Sequence, residues 1–235
     1  MTDPLMTSLA AGYSALVIGA SGGIGSAVAR QLEMDGNCSK VVYLSRREDG
    51  FDVTDENSVH RAAVAFKTDE FDLIFCATGA LTIDGFGPEK SIRQISQASM
   101  MAQFAVNAVG PALILKYFVP LLAKKRRVIF ALLSARVGSI GDNALGGWIS
   151  YRSSKAALNQ IVHTAAIEIS RMNPSSLIVA VHPGTVSTPL SDTFGSGHRR
   201  SEPDEAASRI LRVLDRFPPS CSGGFLAYDG STVPW

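Results

Sequence analysis

The sequence predicts an α/β fold in which one mainly parallel sheet carries helices on both faces. Three features predict it. Short continuous apolar runs such as Ala15-Leu16-Val17-Ile18 read as strands buried on both sides. Stretches with apolar residues at helical spacing alternate with those runs, as parallel strands joined by crossover helices require. The first run ends in the turn Gly19-Ala20-Ser21-Gly22-Gly23-Ile24-Gly25, which opens a helix with Ile24, Val28 and Leu32 on one face.

Composition narrows the class. With 235 residues, 46% apolar and 18% charged, the chain suits one domain over 1–235 with a well-buried core. A net charge of +1 gives no global attraction to nucleic acid or to an anionic membrane. Cys38, Cys76 and Cys221 include no Cys-x-x-Cys and meet no histidine cluster, so neither a disulfide framework nor a metal site is expected. The first basic residue is Arg30, and the longest apolar stretch, 106–123, is interrupted by Asn107, Pro111 and Lys116. A soluble, cytoplasmic protein with reduced thiols is the expectation.

Residues 14–18 form the first strand, and its helix stops at Gly36-Asn37. A glycine turn between the two lets backbone approach a pyrophosphate while the helix N-terminus supplies free N–H groups. Gly19, Ser21, Gly22, Gly23, Ile24 and Gly25 are therefore candidate cofactor ligands. Residues 40–44 read as the second strand, followed by Ser45-Arg46-Arg47 where such a fold reads the adenosine ribose. An acidic residue there would bond a free 2′-hydroxyl, whereas Arg46 and Arg47 attract a 2′-phosphate. NADP(H) is favoured, with NAD(H) possible. Between Leu44 and Phe51 no crossover helix fits, so this edge of the sheet is expected to be trimmed.

Phe51-Asp52-Val53 reads as a short strand, with Asp52 placed to contact an adenine or to cap a turn, and a helix follows through Val59, Ala63 and Phe66. Residues 71–77 are the next buried strand, delivering Thr78-Gly79 where ligands lie over parallel sheets. Residues 81–97 read as a loop over one side of the site. Residues 98–122 are helical in pattern, but Pro111 inside them removes the N–H that would bond the Asn107 carbonyl. The basic run Lys124-Lys125-Arg126-Arg127 falls at a helix end, where cations complement the dipole, so nucleic-acid binding is not its expected role.

Residues 128–133 form a strand that ends in Ser134, and a helix begins near Tyr151, with Leu158, Val162 and Ile169 on its inner face. Tyr151 and Lys155 stand at i and i+4 on one helix face, so the ammonium is expected to lower the phenol pKa. Residues 177–181 are a further strand, followed by His182, read as a packed or capping side chain, and by Pro183-Gly184-Thr185-Val186-Ser187-Thr188-Pro189. The polar, glycine-bearing stretch 191–202, bounded as 190–203, suits a lid over a substrate. An amphipathic helix over 204–216 and a last strand over 224–228 complete the pattern.

Together these pieces resemble the short-chain dehydrogenase/reductase family across essentially the whole chain. Gly19, Gly23 and Gly25 match its glycine motif, and Asn107, Ser134, Tyr151 and Lys155 match its catalytic tetrad in order. The runs from Ser134, Gly146 and Tyr151, and His182-Pro183-Gly184-Thr185-Val186, are similar to the C-factor and sniffer-like carbonyl reductase branch. The resemblance implies a Rossmann-type sheet of about seven strands and a homodimer or homotetramer. It implies hydride transfer between the nicotinamide and a carbonyl or alcohol, with Tyr151 as general acid/base, Ser134 on the carbonyl oxygen, and a water on the Asn107 carbonyl relaying protons to Lys155. Gly79, Pro183, Gly184, Val186 and Thr188 would border the cofactor. A dinucleotide-binding signalling protein acting through a partner is the alternative. Two departures stand out. Cys76-Ala77-Thr78-Gly79 replaces the family's Asn-Asn-Ala-Gly, and the gap between Ser134 and Tyr151 is long, implying an insertion around 142–147. Ser139 is the alternative serine if there is no insertion.

Overall fold

The computed structural model describes residues 4–189 and 200–235. Strands β1 (Tyr13–Ile18), β2 (Cys38–Leu44), β3 (Leu73–Cys76), β4 (Val128–Leu133), β5 (Ser176–His182) and β6 (Phe225–Ala227) form one sheet in the order β2-β1-β3-β4-β5-β6. Every pairing is parallel. The chain leaves β1 for β2 on one side and then returns to β3 on the other. That reversal opens a crevice at the C-terminal ends of β1 and β3, the switch point where ligands bind such sheets.

Successive strand residues point to opposite faces, and here both faces are apolar. Leu16, Ile18, Ile74, Phe130, Leu132 and Ile178 pack against α3 (Glu56–Ala65), α5 (Gly110–Phe118) and α6 (Ile149–Met172). Ala15, Val17, Phe75, Ile129, Val179 and Val181 pack against α1 (Gly23–Met34) and α7 (Pro203–Arg216). This two-sided burial is why the strands read as unbroken apolar runs rather than as alternation.

Among the described residues the sheet has six strands rather than about seven, because 51–53 is not a strand. After β2 the chain makes a single turn, α2 (Arg46–Asp49), whose Glu48 N–H donates to the Ser45 hydroxyl at 3.1 Å. Gly50, at φ +65, turns it inward. Phe51 then plugs the core edge-on against Phe118, ring centroids 6.5 Å apart. The Asp52 N–H donates to Ser58 Oγ, and the Asp52 carboxylate accepts the Thr54 N–H and O–H, so side chains satisfy groups that a neighbouring strand would have taken. β2 is left as the expected trimmed edge.

The expected helix over 98–122 is interrupted. α4 (Gln97–Phe104) widens into a π turn, Ala105–Val109, before α5 resumes. By length and composition the run Gln97–Leu121 passes for a membrane span. Its Ile114, Leu115 and Phe118 are nevertheless core residues against the sheet. Two residues of the basic run are also structural, though not at their own helix. Arg126 pairs with Asp72, and Arg127 donates to the Leu214 and Phe217 carbonyls at the end of α7. Most of the expected lid, 190–199, lies outside the described residues. At its far flank the Ser201 N–H donates to the Thr185 carbonyl at 2.9 Å.

Phe130 is fully buried on the central strand β4. Truncation to alanine removes its packing and leaves a cavity, so Phe130→Ala should lower unfolding free energy by about 3–5 kcal/mol, read from the urea midpoint at unchanged slope.

Candidate active site

The glycine turn builds an anion cradle. Gly22 caps α1 without a side-chain bond, and no acidic residue stands in the first turn. The leading amides are therefore free to meet a negative group. The N–H groups of Gly19 and Ala20 both donate to the Leu44 carbonyl, at 2.7 and 3.3 Å, which lays the turn against the end of β2. A Cβ on Gly25 would lie 2.2 Å from the Gly19 oxygen, and one on Gly23 2.6 Å from Thr188 Cγ2. The turn can be this tight only with glycine at these positions, and the space it leaves fits a pyrophosphate.

A cavity of about 380 Å³ opens above the turn. Ser21, Gly22, Gly23, Ile24 and Gly25 line one side; Gly79, Ser134, Tyr151, Lys155, Pro183 and Thr188 line the rest. Arg46 and Arg47 lie outside this lining, exposed in α2, which directly follows the edge strand that holds the turn. Arg47 pairs with Glu48 at 3.5 Å, whereas Arg46 forms no ion pair among the described residues. Asp52 is likewise outside the cavity lining. Its bonds from Thr54, with the Arg46 charge adding, hold its carboxyl below the usual range.

Ser134 leaves the end of β4, and its hydroxyl donates to Asn159 Oδ1 at 2.6 Å. Tyr151 stands in the first turn of α6 and Lys155 one turn later. Lys155 Nζ donates to the Leu133 carbonyl at 3.0 Å and lies 5.9 Å from the Tyr151 ring centroid. Both side chains are buried, and burial decides their titration. It pushes the Tyr151 phenol up, opposite to the lowering expected from Lys155, and pushes Lys155 down to about 8. At neutral pH the site therefore holds a protonated phenol beside a protonated amine. Ser139 instead accepts the Asp142 N–H at 3.0 Å and lines neither this cavity nor the one beside it, so Ser134 is the serine brought to Tyr151.

The start of α6 is fixed from a distance. Trp148, at φ +55, donates its N–H to the Glu89 carbonyl at 2.6 Å. The buried Glu89 carboxylate accepts the Ser150 N–H at 3.2 Å and the Ser150 hydroxyl, replacing the missing N-cap. Asn107 holds the other side. In the π turn the Gly110 N–H reaches back to the Ala105 carbonyl, five residues away. The Asn107 amide then donates to and accepts from Ala80, both at 2.9 Å, and donates to Gln103 Oε1 at 2.6 Å and Ser154 Oγ at 3.3 Å. This two-way clamp fixes the chain just after Gly79. Glu89, Gln103 and Asn159 were not among the residues singled out from the sequence.

A second cavity, about 540 Å³, shares Ile24, Ser134, Tyr151, Pro183 and Thr188 with the first. Leu81, Trp148, Gly184 and Val186 extend it, with Arg136 and Arg152. His182 also borders it, but as a packed group. Its Nδ1 accepts the Arg136 N–H at 3.3 Å, its ring meets Tyr228 at 6.3 Å, and burial pushes it down to about 4. Among the described residues no cluster of three His, Cys, Asp or Glu side chains could hold a metal ion.

Sheet, cradle and Tyr-Lys pair define a class of dinucleotide-binding oxidoreductase. A family profile described as enoyl-(acyl carrier protein) reductase matches residues 19–217. A 1-hydroxy-2-glutathionyl-2-methyl-3-butene dehydrogenase from a Rhodococcus strain is 31% identical over 94% of this chain and 98% of its own. The C-signal protein of Myxococcus xanthus is 34% identical over 62% of this chain and 84% of its own. Among solved structures, the NADPH-bound carbonyl reductase of chicken fatty liver superposes with a TM-score of 0.82 at 24% identity, covering 98% of this chain and 96% of that one. The Drosophila melanogaster carbonyl reductase Sniffer gives 0.80 at 19% identity, covering 95% and 99%. The chain belongs to the short-chain dehydrogenase/reductase family, and is an oxidoreductase.

Lys155 titrates near 8 in the fold against an ordinary 10.5. Between those values the unfolded chain binds more protons than the folded one, so the penalty for the buried ammonium is present below that window and relieved as pH rises through it. The stability of the wild type relative to Lys155→Met should therefore rise between pH 8 and 10.5 in parallel urea titrations. A flat difference would count against a buried, depressed amine.

Proposed function

We propose that the protein is an NADP(H)-dependent oxidoreductase that interconverts a carbonyl compound and its alcohol, in the manner of a carbonyl reductase. The observation that carries this reading is the meeting of Ser134 and Tyr151 at the border between two joined cavities, with Lys155 in the one that ends on the uncapped N-terminus of α1. When bound, the dinucleotide supplies or accepts the hydride at the substrate carbon. In reduction Tyr151 gives its proton to the carbonyl oxygen, while the Ser134 hydroxyl, turned from Asn159 toward that oxygen, stabilises the charge developing there. In oxidation Tyr151 takes the proton back; the Rhodococcus relative, a dehydrogenase of a hydroxy compound by name, keeps that direction in view.

Residues 19–25 would hold the pyrophosphate, Gly79, Asn107 and Lys155 the nicotinamide ribose side, and Pro183, Gly184, Val186 and Thr188 the nicotinamide. Asp52 would stand by the adenine, and a water on the Asn107 carbonyl would pass protons to Lys155. Arg46 and Arg47 support NADP(H) over NAD(H), as do the structural neighbours that contain NADPH or NADP. We place the chain in the cytoplasm as one domain without nucleic-acid or membrane partners. Met101, Val109 and Ile167, 63%, 52% and 48% exposed along α4, the π turn and α6, support pairing into a homodimer or homotetramer.

The similarity to C-signal supports a second reading, in which dinucleotide binding serves a signalling partner. A catalytically dead protein that still performs the cellular role would favour it.

Tyr151→Phe should reduce turnover by orders of magnitude with NADPH binding largely kept, measured by cofactor absorbance and by titration of the bound fluorescence. Arg46→Asp should shift the NADPH to NADH preference toward NADH by at least tenfold in kcat/KM. An unchanged ratio would remove Arg46 from the cofactor site.

A further inference from the structure

We propose that the substrate carries a carboxylate and that Arg152 holds it, which makes the compound turned over an oxo acid or hydroxy acid rather than a neutral carbonyl. The inference rests on the carbonyl reductase reading for the position of the reacting group, but not for the anion site itself.

Arg152 follows Tyr151 in α6 and lines the 540 Å³ cavity that Tyr151 and Ser134 border. Its guanidinium is held in place by two neutral groups. Nε donates to the Gly147 carbonyl at 2.9 Å and Nη1 to the Val137 carbonyl at 3.3 Å. Of the five N–H groups of a guanidinium, both on Nη2 and one on Nη1 are left. Nη2 has no partner among the described residues, and no buried side-chain nitrogen of those residues lacks one, so Nη2 is open. Its remaining edge is a two-pronged donor already oriented, the geometry that a carboxylate matches best.

The surroundings leave that charge unanswered. No carboxylate pairs with Arg152 among the described residues, and only burial acts on its titration, pushing it down. The other cation of the cavity, Arg136, is already paired, Nε to Asp142 Oδ2 at 2.6 Å. Among the described residues no Asp or Glu side chain lines the cavity, whose remaining lining includes Leu81, Leu145 and Trp148. A half-buried cation among apolar groups gains most from an anionic partner, and a substrate carboxylate supplies one. A neutral substrate would instead leave the cation to water.

The test uses two acids of different length, 4-formylbenzoate and 4-oxopentanoate, each beside its methyl ester, with NADPH and the full-length protein. The wild type should prefer at least one acid over its ester by tenfold or more in kcat/KM. Arg152→Gln should lower that ratio at least tenfold, Arg152→Lys by less, and Arg136→Gln little. A role limited to bracing the loop through Gly147 and Val137 would lower acid and ester together and leave the ratio intact. In parallel, calorimetry should show 4-(hydroxymethyl)benzoate binding to the NADP⁺-loaded wild type and losing at least tenfold in affinity with Arg152→Gln. Equal turnover of acid and ester in both pairs, or binding insensitive to Arg152, overturns the proposal. Arg152-dependent binding with no reduction of any compound would keep the anion site and sink the reductase reading.

Discussion

The bond from the Lys155 ammonium to the Leu133 carbonyl is the constraint around which the site is built. It ties the end of β4 to the first turns of α6 and puts a charged group in the protein interior. A buried ammonium is costly unless its donors are used, so its neighbours are shaped to it. A Cβ on Gly79 would stand 3.1 Å from Nζ, and one on Gly138 2.8 Å from the Lys155 Cβ. A side chain at 138 would collide with the lysine, and one at 79 would crowd its ammonium. The same burial sets the titration, raising Tyr151 and lowering Lys155 together. The phenol stays protonated through neutrality, which suits a proton donor, while the ammonium keeps its charge only to about 8.

The parts of this arrangement that were legible in the sequence are local ones. A doubly buried strand, a glycine turn running into a helix and a Tyr-Lys pair at i and i+4 each lie within one or two elements, where periodicity and sterics speak directly. Pro111 announced that the helical ladder breaks near Asn107. It did not announce that the repair would be a π turn, since that depends on where the helix must resume against the sheet. Phe51-Asp52-Val53 has the alternation of a strand, but three residues are too few to separate a strand from a hydrophobic plug between turns.

What was not legible is long-range. Glu89 caps a helix 61 residues away, and Asn107 clamps a loop 27 residues earlier; neither partner is signalled by spacing. Arg127 serves α7 rather than the helix that precedes it. The direction of the Tyr151 shift was missed for the same reason. Sequence shows a nearby positive charge but not the depth of burial, and here burial is what moves the phenol. The departure at Cys76-Ala77-Thr78 is resolved in similar fashion. Cys76 Sγ and Thr78 Oγ1 lie 3.2 Å apart, and the Asn107 amide takes both backbone groups of Ala80.

The long gap between Ser134 and Tyr151 touches both sides of the site. Trp148 packs edge-on against Tyr151, ring centroids 6.3 Å apart, and Ser150 ties the start of α6 to Glu89. Other residues of the gap act on the two cations of the adjoining cavity. Asp142 pairs with Arg136 and so cancels it, while Gly147 offers Arg152 only a neutral carbonyl and so orients it without cancelling it. One loop thus leaves one uncompensated charge, in the residue next to the phenol. A substrate anchored there by its own anion would be positioned against Tyr151 by the same helix that carries the proton, and the cost of burying Arg152 would be recovered only in the complex.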